Sequence, residues 1–337
     1  VGNEVIVKVK KVDGDFSNLW VNTSDELLTT DATATAAITA ASVAIVAANT
    51  GTNASVVLNT AAITATNTTK IASITATTPA VLSRGANNFE LDVQAGRVTG
   101  CSWVRKFGAN PTVGTTEEVI WHQSGAYAGF LSTAIAVRIK AGGNSNDSFD
   151  GTAARSIVVS GLDETFTEAT EVLTTLGATV SAATSTTFIR VNRLYVEDTG
   201  TYTASGLLDA NAGTIEVETT DGTTLGIIPQ FEGQTSIAVL TVPAGKTLFV
   251  KEIHLNVAGS KTADIFVYQR RDADDITAPY RARRIVSEYG DVDGYLDVNY
   301  NYSISFPAKT DLWVTGTAIS GASTEISAEI LGILVTN

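Results

Sequence analysis

The stretch Phe231–Gly259 reads FEGQTSIAVLTVPAGKTLFVKEIHLNVAG, and its reading decides the fold. Ser236–Val242 carries Ile237, Val239 and Leu240, and Pro243-Ala244-Gly245-Lys246 follows. Thr247–Val257 then alternates, with Leu248, Val250, Ile253, Leu255 and Val257 as its apolar set. Alternation at period two marks a strand with one buried face. It slips once, between Val250 and Ile253, which predicts a bulge. Pro243 presets φ for a turn and Gly245 supplies a positive φ, so the stretch predicts a β-hairpin closed at PAGK.

Toward the C-terminus the same pattern continues. Ile265–Gln269, Ile285–Ser287, Gly294–Asn299, Ser303–Phe306, Leu312–Thr317 and Glu325–Val335 read as strands. Ser327–Val335 (SAEILGILV) is the most apolar run and suits a central strand buried on both faces. Toward the N-terminus, Phe89–Val93, Cys101–Val104, Glu118–Trp121, Ala134–Lys140, Ile157–Val159, Thr170–Leu173 and Phe188–Val196 read the same way. Thr214–Glu218 and Leu225–Ile228 form a hairpin signal across Asp221-Gly222. Val1–Val12 and Phe16–Val21 suggest another hairpin around Asp13-Gly14-Asp15.

Residues 29–78 differ. They are almost wholly Thr, Ala, Ser, Asn, Val and Ile, with Asp31 and Lys70 as the only charges. Their β-branched residues and the period of two at Ala61–Thr66 and Ile71–Thr77 predict short strands, with turns at 49–51 and 66–69 and an end at Pro79. So little large apolar surface suits a flexible linker or an arm that orders against neighbours, and the β-arm is the preferred reading. The expected architecture is all-β: a Thr/Ala-rich β-arm over 1–82, then two β-sandwich or jelly-roll-like units over 83–228 and 229–337. Helix is expected to be less than roughly 10% of the chain.

Charge and cysteine content narrow the function classes. A net charge of −13 argues against binding duplex nucleic acid or anionic membranes. No stretch reaches ~18 consecutive apolar residues, Ala40–Ala48 being the nearest approach, so no membrane span is expected. No signal-peptide pattern is visible, and Val1 is expected to follow a removed initiator or leader. Cys101 is the single cysteine, so no intrachain disulfide forms; in VTGCSWV it reads as a small buried hydrophobe.

Several clusters carry possible chemistry. Asp291, Asp293 and Asp297, and the loop Asn144–Gly151, offer oxygen ligands at calcium-like spacing, though acidic turns also satisfy their own backbone. Arg270, Arg271, Arg281, Arg283 and Arg284 form a basic cluster interrupted by Asp272, Asp274 and Asp275. It fits either docking of an acidic partner or an internal Arg–Asp network. Tyr280, Tyr289, Tyr295, Tyr300 and Tyr302 crowd into a short span, suited to sugars, to an interface or to a sheet interior. His122 and His254 lie far apart in sequence, and no nucleophile elbow, zinc motif or phosphate loop is present, so neither catalysis nor a cofactor is expected.

The wording of four segments adds a resemblance. They are GQTSIAVLTVPAGKTLFVKEIHLNVAG, SRGANNFELDVQAGRVTGCSWVRKFGANPTVGTTEEVIWHQSGAY at Ser83–Tyr127, IVVSGLDETFTEATEVLTTLGAT at Ile157–Thr179, and FPAKTDLWVTGTA at Phe306–Ala318. Together they resemble segments of structural virion proteins of tailed, often marine, bacteriophages and span most of residues 83–337. The resemblance implies a structural virion component, preferably on the capsid surface. It implies contacts with other virion proteins and with copies of itself, plausibly as a trimer. A tail, neck or fibre component and a glycan-binding receptor module are the alternatives.

Overall fold

The computed structural model describes residues 5–10, 16–21, 27–28, 32–77, 89–123, 125–202 and 209–337. The chain divides into two compact units, Val1–Asn87 and Asn88–Asn337.

The first unit holds β1 (Val5–Lys10), β2 (Phe16–Val21), β3 (Leu27–Leu28) and the helix α1 (Ala32–Thr77). β1 and β2 pair antiparallel, with Val5 opposite Val21, so the expected hairpin is present; its turn at 13–15 lies outside the described residues. The expected β-arm is replaced by α1, 46 residues long, which runs unbroken through the turns expected at 49–51 and 66–69. Pro79 lies outside the described residues. The reason is local. The segment is rich in Ala, has no Pro and contains Gly51 alone as a breaker. Its threonines are accommodated by donating to the carbonyl four residues earlier, as Thr50 does to Val46, Thr60 to Val56 and Thr64 to Thr60, each at 2.8 Å. The Ala/Thr alternation contrasts too little in size and polarity to define a strand face. The described side chains of α1 are exposed. By length and composition Thr39–Thr68 is long and apolar enough to cross a membrane, which corrects the sequence expectation.

The second unit starts with the short helix α2 (Phe89–Gln94), not the strand that Phe89, Leu91 and Val93 suggest. Glu90 and Asp92 in its first turn favour the helix dipole, and only Val93 is buried. The strands that follow are β4 (Cys101–Val113), β5 (Glu118–Val119), β6 (Ile135–Ile139), β7 (Ala154–Leu162), β8 (Glu168–Thr174), β9 (Thr187–Phe188) and β10 (Arg190–Thr199). They continue as β11 (Ile215–Thr219), β12 (Thr224–Ile228), β13 (Val239–Thr241), β14 (Lys246–Arg270), β15 (Arg284–Phe306), β16 (Asp311–Ala318) and β17 (Thr324–Thr336).

Two cores organise this unit. Sheets β10–β7–β8 and β12–β11–β6–β9 face each other across Val137, Ile157, Val159, Phe188, Leu194, Val217 and Leu225 in a sandwich-like arrangement. A larger curled sheet, β13–β16–β14–β17–β4, carries β15 on β14 and β5 on β16. It encloses Leu248, Val250, Ile253, Leu255, Ile265, Val267, Phe306, Val314, Ile326 and Ile330. β4 and β5 precede residue 228 yet belong to this sheet, so the cores do not follow the 228/229 boundary. β17 lies between β14 and β4, the central position expected for Ser327–Val335. Gly108 lets β4 cross β13 closely: a Cβ there would stand 2.1 Å from the Ala238 nitrogen.

The PAGK turn forms as expected, with the Lys246 amide donating to Pro243 at 3.3 Å and Gly245 at φ +68°. The hairpin does not. β13 pairs with β16, Leu240 opposite Leu312, whereas the start of β14 pairs with β17 and β15. Ile237 to Val242 is almost wholly buried and contacts strands on both sides, including a bridge from Ile237 to Trp121. The turn therefore moves the chain from one part of the curled sheet to another. The expected bulge is present, as a register shift between Val250 and Glu252 against both neighbours.

The chain is mostly β, with 49% strand and 14% helix; the helix exceeds the share expected from the sequence because α1 replaces the β-arm. Far-ultraviolet circular dichroism of the full chain is expected to carry a helical component over a β spectrum, and removing residues 1–87 should abolish most of that component. A spectrum unchanged by the truncation would mean that α1 is not helical in solution.

Candidate functional site

β15 is the element in which most of the flagged residues gather. It hydrogen-bonds to β14 along one edge, and among the described residues no strand pairs with its other edge. It is not straight. Asp291 (φ 51°) and Gly294 (φ 73°) are left-handed, and β14 skips from Val257 to Thr262 opposite them. Such kinks are one way an edge is kept from indiscriminate pairing. The inward row, Val286, Tyr289, Leu296, Val298, Tyr300 and Ile304, is only partly buried, because among the described residues no strand continues the sheet beyond it.

The five tyrosines divide by face. Tyr289 and Tyr300 share a hydrogen bond at 3.1 Å, and Tyr300 reaches Ser287 at 3.0 Å. Burial and the Tyr300 contact push the Tyr289 hydroxyl up to about 12. Tyr295 and Tyr302 instead point outward, 64% and 91% exposed, and Tyr280 is exposed as well.

The calcium candidates do not converge. Asp297 approaches His254 at 3.3 Å, in a group with Glu252 and with Glu329, which also meets His254 at 3.2 Å. Asp291 sits at the kink, where its amide donates to Asp264. Asp293 stands opposite Thr262. In the other loop the Asp147 carboxylate accepts the amides of Ala154, Ala212 and Gly213, tying the loop to the segment before β11. Among the described residues no group of three or more acidic, His or Cys side chains is arranged to hold a metal.

The arginine cluster is used largely within the chain. Arg281 pairs with Asp272 at 2.9 Å. Arg283 approaches Glu117 and lies over the Tyr268 ring, 4.6 Å from its centroid. Arg270 donates to Asp311 at 2.7 Å. Arg271 reaches Gln269, and Arg284 is exposed on β15. The internal-network reading therefore fits Arg270, Arg281 and Arg283.

Arg270 leads to a centre that was not singled out from the sequence. Arg190, 2% exposed, forks onto the fully buried Asp311 at 3.0 and 3.1 Å. Its remaining nitrogen donates to the carbonyls of Leu131 and Ile189. Asp311 also accepts from Thr241 at 2.7 Å, and the guanidinium lies against Phe130 and Phe166. Arg190 belongs to β10 and Asp311 to β16, so this clamp ties the two cores together. The available signal was a charge inside an otherwise apolar run, Phe188-Ile189-Arg190-Val191.

Cys101 is a free thiol at the start of β4, half-buried instead of fully so, and His254 is occupied by the carboxylates above. No protein-family model matches the chain, and no curated protein does so either.

Proposed function

We propose that this chain is a structural subunit of a tailed-phage virion, on the capsid surface, and that it works through contacts with neighbouring subunits. The resemblance of residues 83–337 to phage structural proteins supplies the setting. The observation that carries the contact is β15: an open sheet edge, a half-covered apolar row and outward-pointing Tyr295 and Tyr302. Tyrosines of this kind are frequent anchors of interfaces. α1 supports the same reading, since a long helix gains most of its stability from packing, and its described side chains are exposed.

The occupant of the β15 edge is another copy of this chain, met through a different strand. Pairing β15 with itself about a two-fold axis at Tyr295 would set Asp293 opposite Asp297, and like charges directly opposite destabilise a sheet. A heterologous contact avoids this and closes into a ring, for which three copies is the proposed number. A tail, neck or fibre position would use the same surfaces.

The test has two parts. The full chain is expected to scatter light as a multimer and to be present at fixed stoichiometry in purified particles of the phage that encodes it. Tyr295→Ala with Tyr302→Ala should leave the melting temperature nearly unchanged, because both side chains are exposed, and weaken association about tenfold or more. A monomer absent from particles overturns the virion reading. A multimer indifferent to both substitutions overturns the place of β15 in it.

A further inference from the structure

We propose that the cleft between the two cores, around Lys106, binds an anionic saccharide, one carrying a carboxylate or phosphate. The cleft has a volume of about 600 Å³, and its walls include Trp103, Arg105, Lys106, Ser160, Asn192 and Arg193. That volume lies within the ~300–1,000 Å³ usual for small-molecule sites.

The charges in the cleft point to an anion. Lys106 is 5% exposed, and its amine donates to the Asn192 carbonyl. Arg193 donates to the Arg105 carbonyl at 3.0 Å and lies over the Phe107 ring. Among the described residues neither Lys106 nor Arg193 forms an ion pair with a carboxylate, although the chain has 35 acids and only 22 Lys and Arg. Burial and the neighbouring Arg193 disfavour charge on the Lys106 amine, and an anion held between the two would restore it. Arg105 is held by Glu329, and Glu168, which also lines the cleft, is held by Lys246. The saccharide part follows from Trp103, a half-exposed indole on the wall, beside the hydroxyls of Ser102 and Ser160. An indole face with nearby hydroxyls stacks on a sugar ring and bonds its hydroxyls.

Burial, followed by the charge of Arg193, lowers the Lys106 amine to about 7. The groups facing it are Arg105 and Arg193 from β4 and β10, Glu168 from β8, and Cys101. An anion beside the amine favours its charged form, so binding above pH 7 should take up a proton, and affinity should fall as pH rises from 7 to 9. The cleft would bind such a ligand whether or not the chain assembles into a virion.

The experiment is titration calorimetry of the full chain with digalacturonate, glucose 6-phosphate, inorganic phosphate and a neutral disaccharide, at pH 8 in two buffers of different ionisation enthalpy. The expected result is binding of at least one anionic sugar about tenfold or more tighter than the neutral one, with proton uptake. Lys106→Met should abolish the uptake and most of the selectivity, and Arg193→Gln should weaken binding. Lys106→Met removes a buried charge while keeping the aliphatic stem, so it should fold and melt no lower than the parent. The two anionic sugars show whether carboxylate or phosphate is preferred. Inorganic phosphate bound as tightly as either sugar overturns the saccharide assignment. No anion binding, or binding unaffected by Lys106→Met, overturns the site.

Discussion

Replacing Asp311 with alanine is expected to lower the melting temperature by roughly 10 °C. Asp311 is fully buried and neutralises Arg190 while also accepting from Arg270 and Thr241. Removing one partner of a buried ion pair costs about 3–5 kcal/mol, mostly because the other charge is stranded. In a domain of this size each kcal/mol shifts the transition by about 2–4 °C. The strain falls on Arg190, whose guanidinium would keep only the Leu131 and Ile189 carbonyls and two aromatic faces. Asp311→Asn keeps the shape and one acceptor, and should fall between the parent and Asp311→Ala. Calorimetric melting of the three proteins checks the order. A shift of less than about 2 °C for Asp311→Ala would show that the clamp adds little to stability.

Deleting residues 1–87 is expected to leave a folded protein that assembles more weakly through β15 alone. Asn88–Asn337 has both hydrophobic cores and all strands from β4 to β17. The first unit contributes a small sheet and α1, whose described side chains are exposed and available to neighbours. The truncated chain should therefore melt cooperatively, near the parent temperature. Its association by light scattering, and its occupancy on particles, should fall about tenfold or more, the scale set by losing a central set of contacts. Retained assembly at full occupancy would place the contacts wholly in the second unit. Failure to fold would make the first unit part of the fold.

Much of the strand content was legible because one-sided burial forces period two. The bulge near Lys251, the hairpin across Asp221-Gly222 and the central place of β17 all follow from side-chain alternation and turn chemistry, which act over a few residues. The losses have a common cause. At PAGK the turn chemistry was read correctly, but which strand lies beside β13 is decided by burial of Ile237–Val242 against β16 and the bridge to Trp121. In α1 the alternating Ala and Thr resemble a strand, and only the long absence of breakers favours helix. Arg190 and Asp311 are 121 positions apart, and no local pattern joins them. On β15 the tyrosines were visible as a cluster, whereas their division into Tyr289 and Tyr300 inward and Tyr295 and Tyr302 outward depends on the kinks at Asp291 and Gly294 and on the register shift between Asn299 and Ile304.

The pairing of β4 with β17 has a consequence for synthesis. Cys101 lies opposite Val335, and β17 fills the gap between β4 and β14, so the larger core lacks its middle strand until residue 336 has cleared the ribosomal exit tunnel. The smaller core, built from strands between residues 135 and 228, can collapse while the rest is still being made. During that interval the emerged edges of β4 and β14 stand open on a tethered nascent chain. Crowded polysomes are therefore where strand exchange between copies would compete with correct closure, and slow translation of the stretch from β14 to β17 would lengthen that exposure.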